Sequence, residues 1–151
     1  MEIAIDFDGT CVTHEFPKVG RDIGAVPVLK ELVANGHNLI LFTMRSDIES
    51  PTGDDESIIM KGGNYLTDAV NWFKDNGIPL YGVQSNPTQQ TWTTSPKAYA
   101  QLYIDDAALG CPLIYGNFGE CGEGGYYDRP HVDWDGVRQY LVAKGIIKPT
   151  A

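Results

Sequence analysis

The sequence is poor in cysteine and in positive charge, and it contains no long apolar run. Its three cysteines, Cys11, Cys111 and Cys121, are an odd number among 151 residues and show no paired spacing. That suits a reduced, intracellular chain better than a disulfide framework. Cys111, Cys121 and His131 match no zinc-binding spacing, so plain thiols are expected. Eleven Lys and Arg stand against 20 Asp and Glu, a formal charge of −9. With a pI near 4.6, such a chain is not expected to bind nucleic acid or an anionic membrane. No segment approaches membrane-spanning length. "MEIAID" lacks both the basic start and the apolar stretch of a signal peptide, so a soluble, cytoplasmic protein is expected. Low-complexity tracts, internal repeats and linkers are missing too, and residues 1–151 read as one domain.

What is present is an alternation of short β-branched runs with helical periodicities. Ile3 to Asp6 reads as a strand buried on both faces. "GAVPVLKELVANG" carries Val26, Leu29, Leu32 and Val33 on one helical face, with Pro27 near its start and Gly36 at its end. "NLILFT" is a second buried strand, ending at Thr43. "NYLTDAVNWFKDNG" has Asn64 as its expected cap, a stripe of Leu66, Val70 and Phe73, and Gly77 as its stop. "LYGV" (80–83) and "LYID" (102–105) are further strands. Ser95 and Pro96 predict one helical turn over "SPKAYA". The last helix, "DWDGVRQYLVAKG", is expected to bury Val137, Tyr140 and Leu141. This order predicts an α/β fold, a Rossmann-like three-layer sandwich with a mostly parallel sheet.

Polar groups collect at the strand ends. The first strand runs into Asp6 and Asp8, which share one side of an extended segment. The second ends at Thr43, the fourth at Asp105 and Asp106, and Lys97 comes just before the fourth. Ligands of open α/β sheets bind outside the carboxyl ends of the strands. Four carboxylates gathered there repel one another unless a cation joins them. Hard oxygen ligands suit Mg²⁺, which also attracts phosphate. Lys97 and the Thr43 hydroxyl supply donors for the phosphate. Arg45, two residues past Thr43, is a candidate fork for a substrate phosphate or carboxylate. Of two aspartates two residues apart, one can attack phosphorus while the other handles the proton.

"DFDGT" after a strand, then Thr43, Lys97 and "IDD" in that order, resembles the haloacid dehalogenase superfamily of phosphohydrolases. The likeness spans Met1 to about Leu109. It implies Asp6 as nucleophile and metal ligand, and Asp8 as general acid/base lending its carbonyl to the metal. It implies Thr43 and Lys97 as phosphoryl-binding groups, with Asp105 and Asp106 completing a Mg²⁺ site. The two slots where relatives carry a cap, here about 12–20 and 84–94, are too short for one, so a capless member is expected. An aspartate at position 8 counts against dehalogenase chemistry. The implied activity is hydrolysis of a small phosphorylated substrate through an aspartyl-phosphate.

The alternatives are a phosphotransferase or mutase using the same residues, and a catalytically silent phosphate-binding protein of the same fold. A signalling receiver domain is disfavoured, because "LYGV" ends without an acidic residue. Residues 44–63 and 110–131 are long connections and candidates for a lid, and an open site is one that a second subunit can complete. Trp92, Tyr126 and Tyr127 read as loop anchors, and Asp54, Asp55 and Glu56 as a solvated loop. His14, His37 and His131 show no ligand spacing and read as structural or surface residues.

Overall fold

The computed structural model describes residues 1–49, 62–115 and 129–149. Four parallel strands form the central sheet: β1 (Glu2–Ile5), β2 (Asn38–Leu41), β5 (Gly82–Val83) and β6 (Leu102–Ile104), in the order β5-β2-β1-β6. In the register, Ile3 lies beside Leu39 and Leu102, and Ile5 beside Leu41 and Ile104. One further rung, from the Asp6 N–H to the Ile104 carbonyl at 3.0 Å, carries the pairing up to the first aspartate.

Strand alternation separates the two faces. Ile3, Ile5, Leu39 and Leu41 join a core with buried residues of α1 (Ala25–Ala34), α2 (Tyr65–Asp75) and α3 (Trp134–Ala143). Phe7 closes this core at the top, with its ring 5.6 Å from Trp72 and 6.2 Å from Phe73. The connections β1-α1-β2 and β2-α2-β5 step the same way across the sheet. Right-handed crossovers therefore bring both helices to one face.

The step from β5 back to β6 runs in the opposite sense and crosses the other face, onto which Tyr103 projects. Here the expected helical turn over 95–100 does not form. The chain makes a single 3-10 turn at Gln89–Thr91 instead. The Gln89 side chain, 2% exposed, explains the difference. Its amide N–H₂ donates to the Ser95 and Lys97 carbonyls, and its oxygen accepts the Asn86 and Tyr99 N–H groups. Backbone groups that a helical turn would use are already satisfied.

Two small antiparallel ribbons complete the description: β3 (Asp47–Ile48) with β4 (Gly63–Asn64), and β7 (Leu113–Ile114) with β8 (His131–Val132). They bracket the long connections expected at 44–63 and 110–131. Cys121, Tyr126, Tyr127 and the Asp54–Glu56 cluster lie outside the described residues. The last helix buries Trp134, Val137 and Leu141, whereas Tyr140 is 56% exposed and not on the buried stripe. Among the described residues, no helix is long and apolar enough to cross a membrane.

Candidate active site

In the order β5-β2-β1-β6 the chain leaves β1 in one direction and reaches β6 on the other side, so the switch point lies between these two strands. Asp6 follows β1, and Asp105 and Asp106 follow β6. One carboxylate oxygen from each of the three lies within 4.8 Å of the other two. A cavity of about 470 Å³ opens over them, walled also by Asp8, His14, Thr43, Arg45 and Arg129. Phe16 and Met44 form its apolar rim, and the Met44 side chain is almost wholly exposed.

The turn after β1 builds the centre. Thr10 is fully buried, and its hydroxyl faces Asp6 Oδ2 at 2.9 Å and Asp106 Oδ1 at 3.2 Å. The same oxygen accepts the Asp106 N–H at 3.0 Å. Asp105 turns back on its own loop, accepting the Ala107 N–H at 2.8 Å. Gly9 lies at φ +77, and a Cβ there would sit 2.0 Å from His14 Nε2 and 2.8 Å from Asp106 Oδ2. The glycine of "DFDGT" is thus required by conformation and by space.

Crowding of the carboxylates sets their protonation. Burial above all pushes Asp6 up to about 8, with the Asp106 side chain and the Asp105 charge adding to it. Burial likewise raises Asp105, helped by Asp106. Burial also presses on Asp106, but hydrogen bonds accepted from His14 and from the protonated Asp6 outweigh it and hold this carboxyl below its ordinary value. Three oxygens converging with too few donors is what a divalent cation relieves, and an all-carboxylate set fits a hard ion such as Mg²⁺.

Arg45 is 2% exposed and buried against the protein itself. Its Nε and Nη2 donate to the two oxygens of Asp8 at 2.7 and 2.8 Å. The remaining N–H groups reach the carbonyls of Lys18, Tyr65 and Pro17. The guanidinium carbon lies 5.0 Å from the ring centres of both Phe7 and Phe16. Expected on a substrate anion, Arg45 has all its donors engaged by this chain. The Arg45 N–H donates to Thr43 Oγ1 at 3.1 Å, leaving the Thr43 hydroxyl hydrogen to point elsewhere. Gln84, at φ 65, braces the segment: its oxygen accepts the Thr43 N–H, and its N–H₂ donates to the Thr43 and Arg45 carbonyls.

The structure therefore brings together Asp6, Asp8, Thr43, Arg45, Asp105 and Asp106, and it leaves Lys97 apart. The Lys97 ammonium lies 5.6 Å from the Tyr103 ring, in a separate hollow with Trp92 and Tyr99. The cause is the same Gln89 amide, which holds 95–99 in an irregular path. Thr10 and His14, both unforeseen as site residues, stand at the centre. Thr10 belongs to the quoted motif, but no spacing signal marks His14.

No protein-family model matches this chain, and no curated protein matches it. Among solved structures, the chain is similar to a conserved protein of Bacteroides thetaiotaomicron, at 29% identity and a TM-score of 0.63, over 99% of this chain and 93% of that one.

Proposed function

We propose that the chain is a Mg²⁺-dependent phosphomonoester hydrolase of the haloacid dehalogenase type, with a Rossmann-like core and no separate cap domain. One observation carries the reading: Asp6, Asp105 and Asp106 meet at the switch point of the sheet, each offering an oxygen within 4.8 Å of the others. Asp6, Asp105 and Asp106 would hold the ion. When bound, it keeps Asp6 ionised near neutral pH and offsets charge on the phosphoryl oxygens.

The chain's own residues supply the remaining chemistry. The Asp6 carboxylate attacks phosphorus, forming the new P–O bond as the bond to the leaving alcohol breaks. Asp8, which lines the cavity while the Arg45 fork holds it, takes up a proton from solvent as substrate binds and gives it to the leaving oxygen. It then takes one from the water that hydrolyses the aspartyl-phosphate. The Thr43 hydroxyl, whose oxygen already accepts the Arg45 N–H, donates its hydrogen to the transferring group. Lys97, resting on Tyr103, has no part in this account.

The test is a panel of phosphomonoesters, including nucleotide, sugar and amino-acid phosphates, assayed with Mg²⁺, with EDTA and on Asp6→Asn protein. Hydrolysis is expected to need the metal and to fall to roughly a thousandth or less in Asp6→Asn, the scale of losing a nucleophile. Undiminished turnover by Asp6→Asn, free of deamidated protein, would remove the assigned nucleophile.

A further inference from the structure

His14 sits where the acidic centre meets the strand after the second long connection. Its Nε2 is 3.1 Å from Asp106 Oδ2 and 3.1 Å from the Pro130 carbonyl. Both neighbours are acceptors, so the hydrogen must reside on Nε2. That nitrogen then has no lone pair for a metal, and His14 does not ligate through it. What it does is hold a carboxylate. Asp106 is gripped at Oδ2 by His14 and at Oδ1 by the Thr10 hydroxyl, while Thr10 Oγ1 also accepts its N–H. The side chain has one orientation, with a lone pair on each oxygen left for an ion. The motif glycine exists partly for this contact, since a Cβ at position 9 would stand 2.0 Å from His14 Nε2.

We infer that His14 is the positioning residue of the metal centre: it fixes Asp106 from outside the ligand set and thereby sets the affinity for the divalent cation. The inference rests on the metal-binding reading of Asp6, Asp105 and Asp106. Groups of this kind orient ligands and typically contribute about 10- to 100-fold in affinity. Nothing in the "DFDGT" pattern demands a histidine four residues beyond its glycine-threonine pair. The assignment comes from geometry alone.

The test titrates Mn²⁺ and Mg²⁺ into the metal-stripped full chain by calorimetry. It compares wild type, His14→Gln, His14→Asn and His14→Ala, with Asp106→Asn alone and combined with His14→Ala. A glutamine amide N–H can occupy the place of Nε2, whereas that of asparagine falls short, at the place of Nδ1. Weakening of about tenfold or more is expected in His14→Asn and His14→Ala, with most of the affinity kept in His14→Gln. In the Asp106→Asn background, His14→Ala should change affinity by less than about twofold, because the carboxylate it steers is gone. Equal affinity in wild type and His14→Asn overturns the inference, and so does an equal loss with and without Asp106. The Gln and Asn pair decides the matter even if His14→Ala fails to fold. Absence of metal binding by wild type would instead remove the metal centre itself, and with it the proposed hydrolase.

Discussion

Arg45 shows how a charged side chain becomes part of a scaffold. Two aromatic rings, three carbonyls and a bidentate carboxylate surround its guanidinium. Removing one member of a buried pair strands the other in a poor solvent, a loss of about 3–5 kcal/mol when both are fully enclosed. Asp8 retains some exposure, so the lower figure applies. Arg45→Met is expected to lower unfolding stability by about 3 kcal/mol in urea titration. Arg45→Lys should recover less than half of that, since an ammonium cannot fork. A Met variant within about 0.5 kcal/mol of wild type would show that the pair is not what holds the loop. At this scale the sequence was legible where a residue type has few uses. Asp6, Asp105 and Asp106 stand out because apolar strands run straight into carboxylates. Arg45 was read by type and proximity, and those cannot say whether a fork faces inward or outward. The places of His14, beside Asp106, and of Lys97, beside Tyr103, were not legible for one reason: both depend on irregular backbone, whose path is set by distant side chains.

Helix α2 makes the same point for an element. Asn64 stands at its cap position, as its sequence suggests, yet its side chain makes no capping hydrogen bond. The cap comes from Asp47 on β3, which accepts the Thr67 N–H at 2.9 Å and the Thr67 hydroxyl at 2.5 Å. These bonds hold Asp47 below its usual carboxylate range, the hydroxyl contributing most. Thermal and urea unfolding should find Asp47→Ala less stable than wild type and Asn64→Ala near neutral. The reverse ranking would return the cap to Asn64. Helices α1, α2 and α3 were readable because their apolar stripes and terminal glycines are local signals. The stripe of α3 was overread at Tyr140, whose ring extends past the core it borders. The helical turn over 95–100 was foreseen from Ser95 and Pro96 and does not form. A buried glutamine six to ten residues upstream of the groups it bonds carries no periodic signature.

For the molecule as a whole, the acidic centre ties folding to pH. The metal-free folded state holds a proton on Asp6 up to about pH 8, while the unfolded chain gives it up near 3.8. Between those values the unfolded state binds fewer protons, so stability falls as pH rises. Asp105, raised by burial, acts in the same direction. The apo protein is therefore expected to melt at lower temperature at pH 8 than at pH 5.5. A divalent cation binding the ionised cluster should raise the melting temperature more at the higher pH. A flat apo profile, or an equal metal effect at both values, would contradict this account of Asp6. The parallel sheet was legible from the order of strands and helices. That the described helices share one core was not, because it follows from handedness and from a connection over 84–101 that makes no α-helix.

The indole of Trp134, at the start of α3, donates to the Thr10 carbonyl at 2.6 Å. The hydroxyl of that same threonine links Asp6 to Asp106. Residues 124 positions apart are thus tied together at one cluster, whose acidic members are Asp6, Asp105 and Asp106. A chain cut after β6 holds all four central strands but lacks the indole that anchors the turn after β1. Truncation before position 134 should therefore loosen a turn 124 positions upstream.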